Sequence, residues 1–170
     1  MSEESTQALA NMLRRHAMDS LARREHSRYE LSSKLRKRFP EADGNLLDKT
    51  LDQLEIDGLL SDERFTEAYV RYRRNRGFGP VAIRHHLRTC QVSDAHIASY
   101  LKESDPDWLE LLEALYIRKS GRNSAENALN AEGRDQMLPE AKHRQKLERF
   151  FLSRGFTPEQ IRQLWRKGNH

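Results

Sequence analysis

Apolar residues in this chain recur at intervals of three and four and almost never alternate. Leu31, Leu35 and Phe39 form one row, Leu47, Leu51 and Leu54 a second, and Phe65, Ala68, Tyr69 and Tyr72 a third. Ile83 with Leu87, Ile97 with Leu101, and Leu111 and Leu112 with Leu115 continue the pattern. Such spacing places side chains on one face of a helix, whereas a half-buried strand needs period two. An all-α fold is expected. Of the 170 residues, 33% are charged and 36% hydrophobic, so each helix has a stripe to bury rather than an apolar circumference. The charge is mixed in sign and aromatics are present, so the chain is expected to fold around a thin core.

Helix boundaries are written in capping residues. Ser27-Arg28-Tyr29-Glu30 reads as a capping box, with the serine oxygen accepting from the third helical N–H and the glutamate reaching back. Thr157-Pro158-Glu159-Gln160 is a second, with proline at the first helical position. Asn45, Ser61, Gly79-Pro80, Ser93-Asp94, Asp105-Pro106-Asp107 and Pro139-Glu140 mark further starts. Pro40, Gly44, Gly58, Gly77 and Gly155 mark stops. With one helix near residues 6–25, about nine helices are expected.

Two stretches share a register. Leu87, Val92, Ile97 and Leu101 are spaced 5, 5, 4, and so are Phe151, Phe156, Ile161 and Trp165. In both, an N-cap (Ser93, Thr157) follows the second member. This predicts tandem three-helix, helix-turn-helix-like repeats over 1–60, 61–104 and 105–170. No unit owns many large apolar residues, so neighbours must share surface and an elongated or curved array is expected. Between Lys119 and Leu138 the pattern breaks among Gly121, Asn123, Ser124, Asn127, Asn130, Gly133 and Asp135. An insertion at about 119–138 is expected there, with room for a short helix around Ala125 to Leu129.

Several functions are disfavoured by what these residues cannot build. The longest purely apolar run is Ala114 to Ile117, far short of the roughly 20 residues of a membrane span. The chain begins Met1-Ser2-Glu3-Glu4, so no export signal is expected. Cys90 is the single cysteine and cannot form an internal disulfide, which suits a reducing cytoplasm. Gly77-Phe78-Gly79 lacks the Lys-Ser/Thr ending of a phosphate loop. His85 and His86 point about 100° apart on a helix, so they cannot both face one metal. Cys90 has no recognisable base partner in sequence and reads as a small semi-buried hydrophobe. No catalytic residue, metal ligand or cofactor is predicted, and the chain is not expected to be an enzyme.

Charge distribution says more than the net +4. No acidic residue occurs from Arg71 to Ser93, a stretch holding Arg71, Arg73, Arg74, Arg76, Arg84 and Arg88. Lys34, Arg36, Lys37 and Arg38 form a second cluster, with Arg24 and Arg28 ahead of it. Part of this is the ordinary preference of cations for helix C-termini. The acid-free stretch is too long for that alone, and arginine's planar fork suits phosphate and carboxylate. These twelve residues are the predicted basic binding face. Tyr69, Tyr72 and Phe78 interleave with the arginines, which suits base stacking, although Phe65, Tyr69 and Tyr72 also have the spacing of a core stripe.

Asp57-Gly58-Leu59-Leu60-Ser61-Asp62-Glu63-Arg64-Phe65 through Ala68-Tyr69-Val70 resembles a signature of the bacterial RecX family. So does Arg76-Gly77-Phe78-Gly79-Pro80 followed by Ile83 and Leu87. Ala22-Arg23-Arg24-Glu25-His26-Ser27 with Glu30-Leu31 is similar to the family's first unit, and Ser153-Arg154-Gly155-Phe156-Thr157 with Ile161 to its last. The resemblance covers about residues 14–168 and departs at 119–138, where the family usually has a shorter connection. It implies three tandem three-helix repeats. It also implies a non-enzymatic negative regulator of the RecA recombinase, binding RecA filaments on DNA and inhibiting ATP hydrolysis, strand exchange and co-protease activity. The implied partners are the RecA filament and single-stranded DNA, with double-stranded DNA as a further candidate; a monomer is expected. Two alternatives stay open at this point: a helix-turn-helix DNA-binding protein acting independently of RecA, and a protein-interaction scaffold without nucleic-acid contact.

Overall fold

The computed structural model describes residues 3–129 and 140–167, and within them the side chains of residues 4–121 and 142–167. Among the described residues there are nine α-helices and no strand. They are α1 (Glu3–Leu21), α2 (Arg28–Arg38), α3 (Gly44–Ile56), α4 (Asp62–Asn75), α5 (Pro80–Thr89), α6 (Asp94–Tyr100), α7 (Asp107–Leu129), α8 (Glu140–Ser153) and α9 (Pro158–Lys167). No helix among the described residues is long and apolar enough to cross a membrane.

The caps explain most of these boundaries. Ser27 Oγ accepts from the Glu30 N–H at 3.1 Å, and Ser61 Oγ from the Arg64 N–H at 3.2 Å. The Thr157 box closes in both directions: Gln160 N–H donates to Thr157 Oγ1 at 3.1 Å, and Thr157 N–H to Gln160 Oε1 at 2.9 Å. Two expectations are corrected. The start of α3 is capped by Asp43, whose Oδ1 accepts from the Leu46 N–H at 2.7 Å, and not by Asn45; a carboxylate beside the helix N-terminus is the stronger acceptor. The Glu30 carboxylate faces Arg24 and Cys90, so the Ser27 box rests on its serine.

The shared 5, 5, 4 spacing has a local cause. Val92 N–H bonds to Leu87 O and Phe156 N–H to Phe151 O, both at 3.1 Å, the six-to-one bond that closes a helix C-terminus. The following N-caps then start α6 and α9: His96 N–H donates to Ser93 Oγ at 3.2 Å, the counterpart of Gln160 on Thr157. The first interval is thus a helix stop and the second a helix start. The stop after α5 uses Gln91 at φ 56 where the stop after α8 uses Gly155 at φ 85.

Two compact units divide the chain. The first holds Met1–Val70 with His86–Tyr100, the second Arg71–His85 with Leu101–His170. Residues 61–104, expected as the second repeat, contribute to both. In the first unit, Leu9, Leu13 and Ala17 of α1 meet Leu31, Leu35, Phe39 and Leu47, Leu51, Leu54, with Leu60 closing the cluster. In the second, Leu112, Leu115, Leu147, Phe151, Phe156, Ile161 and Leu164 do the same work. Full burial of each Leu, Ile or Phe stabilises by roughly 1.5–3 kcal/mol, the main term holding each unit together. Residues 119–129 continue α7 to Leu129, where the sequence suggested a break at Lys119; the remainder of the expected insertion, 130–138, lies outside the described residues, as does the Pro139 start signal.

Candidate functional site

Cations of the first unit divide by what they touch. Lys34, Arg36, Lys37 and Arg38 are exposed on the last turns of α2, while Leu31 and Leu35 on its other face are fully buried. Period 3.6 makes this separation: the residues between the buried ones fall on the water side. None of the four forms a salt bridge among the described residues; Arg38 lies 5.8 Å from the Phe39 ring. This is an open cationic face on a fixed helix.

Arg24 and Arg28 are occupied otherwise. Arg28 reaches Asp52 and Glu55 of α3, each at 2.7 Å, and its backbone N–H donates to Asp62 at 2.7 Å. Burial works against its charge, but the hydrogen bonds and charges of Asp52 and Glu55 outweigh that and raise its pKa. Arg24 pairs with Glu30 at 2.9 Å. Arg88 pairs with Asp94 at 3.0 Å. In these last two pairs the arginine side chain is more than half exposed (57% and 59%). Exposed pairs contribute about 0–1 kcal/mol, so a phosphate can displace the carboxylate. Arg28, with two carboxylates and 30% exposure, is a fastener between helices.

In the second unit the end of α4 behaves similarly. Arg74 pairs with Asp105 at 3.1 Å and Asp107 at 3.3 Å, and its guanidinium lies 4.3 Å from the ring of buried Trp108. Arg84 pairs with Glu103 and donates to Leu101 O at 3.4 Å. Both hold the 101–108 segment. Arg71 and Arg76 are exposed, and Arg76 leans on Tyr72, donating to its hydroxyl at 2.8 Å. Arg73 stacks on Phe78 with 3.4 Å between guanidinium and ring centre.

Sequence reasoning missed an extension of this cluster. Arg154 lies 4.7 Å from the Phe78 ring and 5.2 Å from Phe150, and Lys119 lies 5.1 Å from Phe150. Cations and rings therefore alternate: Arg73, Phe78, Arg154, Phe150, Lys119. A shallow depression beside them is lined by Leu115, Arg118, Lys119, Phe150 and Arg154. Stacking on a ring fixes a guanidinium plane; the Nε of Arg73 is buried there, and Arg154 Nη1 donates to Arg76 O at 3.4 Å. The rings are covered by cations, so Phe78 supports arginines more readily than bases. Arg154 stood alone in sequence, where no charge run could flag it; its place beside Phe78 comes from the turn between α8 and α9.

The aromatic stripe resolves as core and rim. Phe65 is buried, Tyr69 stacks on His86 at 4.5 Å, and Tyr72 is 52% exposed. Cys90 is buried with its Sγ 3.4 Å from His86 Nε2, a partner four residues back that the sequence reading passed over. Burial, reinforced by the Glu30 charge, pushes the Cys90 thiol up to about 11. His26 is buried, its Nδ1 3.0 Å from Arg24 O, and burial lowers its pKa.

Among the described residues this is an all-α chain with some cations displayed at helix ends and others spent on internal fastening. Comparison with known proteins makes the assignment specific. The model of the second three-helix domain of RecX matches residues 61–101. The regulatory protein RecX of Pseudomonas entomophila is 39% identical over 152 residues, covering 89% of this chain and 88% of that one. The regulatory protein RecX of Ectopseudomonas mendocina is 40% identical over 156 residues, covering 91% and 93%. The crystal structure of RecX from Lactobacillus salivarius superposes with a TM-score of 0.73 at 20% identity, covering 95% of this chain and 97% of that one. The chain belongs to the RecX family of regulatory proteins.

Proposed function

We propose that this chain is a negative regulator of the RecA recombinase, binding RecA filaments on DNA and inhibiting ATP hydrolysis, strand exchange and co-protease activity. The observation that carries this reading is the near full-length similarity to regulatory proteins named RecX. The charge geometry supports it. A nucleoprotein filament is a repeating anionic lattice, and a protein with separate cationic faces can engage it at more than one point, which multiplies weak contacts into a firm hold. The faces we assign to this contact are Lys34, Arg36, Lys37 and Arg38 on α2, and Arg71, Arg73 and Arg76 at the end of α4. Arg24 and Arg88 join them by exchanging a carboxylate for the ligand, and Arg28, Arg74 and Arg84 act as fasteners. The mechanism is occupation of the filament surface by successive helical modules of a monomer, with no chemical step of its own and no cofactor.

The test is a titration into RecA assembled on single-stranded DNA with ATP. ATP hydrolysis is expected to fall at equimolar or lower ratios to RecA, with an affinity that weakens steeply with salt. Unchanged hydrolysis at low salt would sink the reading. Preference for one duplex sequence over random duplex without RecA would instead identify a sequence-specific DNA-binding protein.

A further inference from the structure

We propose that Glu30, His86 and Cys90 form a binding site for a divalent transition metal of the zinc class. All three lie in the first unit. Cys90 Sγ stands 3.4 Å from His86 Nε2 and 3.8 Å from Glu30 Oε1, and the three ligand atoms lie within 4.8 Å of one another. Zinc bonds of about 2.0–2.3 Å, arranged as a tetrahedron, separate adjacent ligand atoms by roughly 3.3–3.8 Å. Two of the three separations already have that length. The third closes with a movement of no more than about 1.5 Å, within reach of a rotamer adjustment.

Each ligand is held by something other than the metal. The Cys90 N–H bonds to His86 O at 3.0 Å, so these two side chains stand one helical turn apart on the same face. The His86 ring lies flat against Tyr69, 4.5 Å between centres and 15° between planes. Glu30 turns Oε1 toward Cys90 while Arg24 holds Oε2 at 2.9 Å. Such outer contacts orient ligands and are the usual company of a metal site. They also leave Arg24 paired when Glu30 ligates through its other oxygen.

The donor set selects the metal. A thiolate with an imidazole favours zinc-class ions over magnesium or calcium, which take oxygen ligands. Three protein ligands leave one position for water. On binding, the Cys90 thiol releases its proton to solvent and the sulfur bonds the ion. Thiolate and carboxylate then cancel the two positive charges. The bound ion ties α2 to the segment that closes α5.

Cobalt(II) and zinc added to the full-length chain, kept reduced with a phosphine, test this. Cobalt is expected to bind one equivalent with tetrahedral visible bands and a sulfur-to-cobalt charge-transfer band in the near ultraviolet. Because Cys90 is the single cysteine, that band reports it without any variant. Zinc is expected to displace cobalt and erase both signals. Cys90→Ser should remove the charge-transfer band, and His86→Ala should weaken zinc binding at least tenfold. His85→Ala, altering the exposed neighbour, should leave binding unchanged. Cobalt bound by the wild-type chain without the sulfur band, or zinc affinity indifferent to His86→Ala in a variant with native circular dichroism, overturns the proposal.

Discussion

The turn between α4 and α5 and the turn between α8 and α9 meet backbone to backbone inside the second unit, and Gly155→Ala tests what that contact is worth. Gly79 N–H donates to Arg154 O at 2.8 Å and Val81 N–H to Gly155 O at 3.0 Å. A Cβ on Gly155 falls 2.4 Å from both the Cβ and the backbone nitrogen of Ala82, where ordinary contact begins near 3.4 Å. Gly155 also sits at φ +85, in the left-handed region. A non-glycine residue there costs roughly 1–2 kcal/mol. Relieving the overlap by moving backbone costs about 1–3 kcal/mol more, and each weakened inter-turn hydrogen bond about 1 kcal/mol. The total, about 4–7 kcal/mol, is a large share of the roughly 5–15 kcal/mol that holds a typical domain folded. Both tryptophans, Trp108 and Trp165, lie in the second unit, so urea unfolding followed by tryptophan fluorescence reads that unit alone. The fluorescence midpoint is expected to fall sharply while the first unit keeps its helical circular dichroism. Gly79→Ala isolates the steric part, since its Cβ meets Gly155 O at 2.4 Å without left-handed strain, and should cost about 1–3 kcal/mol. Gly44→Ala, with nothing within 4 Å, should be neutral. A Gly155→Ala protein within about 0.5 kcal/mol of the parent, the range of ordinary surface substitutions, would refute the reasoning.

Changing Lys34, Arg36, Lys37 and Arg38 together to Ala should leave the melting curve nearly intact and weaken inhibition of RecA. Where these side chains meet single-stranded phosphates, the slope of log affinity against log salt falls by about 3, at roughly 0.7 per contact; retained inhibition with an unchanged slope dismisses the α2 face. Ser27→Ala removes a fully buried cap and should destabilise the first unit by about 1 kcal/mol in urea titration; no change would mean the Glu30 N–H finds another acceptor. Burial holds His26 below its usual 6.5, so the unfolded chain takes the proton first on acidification. Its contribution is therefore complete above about pH 6.5 and lost as pH falls from there toward the folded-state value, and His26→Gln should flatten that part of the stability profile.

Helix content, most helix starts and the echo between Leu87–Leu101 and Phe151–Trp165 were legible from residue order. They rest on interactions spanning three to five residues: a serine oxygen on an N–H three ahead, a carbonyl five back, an apolar row every fourth position. The same locality made the exposed α2 face readable, since a buried Leu31–Leu35 stripe forces Lys34, Arg36, Lys37 and Arg38 outward. Asp43 displaced Asn45 as a cap because both neighbours are competent and only the loop geometry chooses between them.

What residue order could not decide was which charges are already spent. Arg74 meets Asp105 across 31 positions and Arg28 meets Asp52 across 24; an acid-free stretch looks equally open whether or not distant carboxylates fold back on it. The alternation of Arg73, Phe78, Arg154, Phe150 and Lys119, and the meeting of Glu30 with His86 and Cys90, are likewise products of packing. Sequence by itself determined where most of the described helices begin and which side of each is apolar, because those are near-neighbour energies. Tertiary structure alone decided which guanidiniums, rings and ligand atoms share a surface, because Coulombic and coordinate contacts act through space and take no account of separation along the chain.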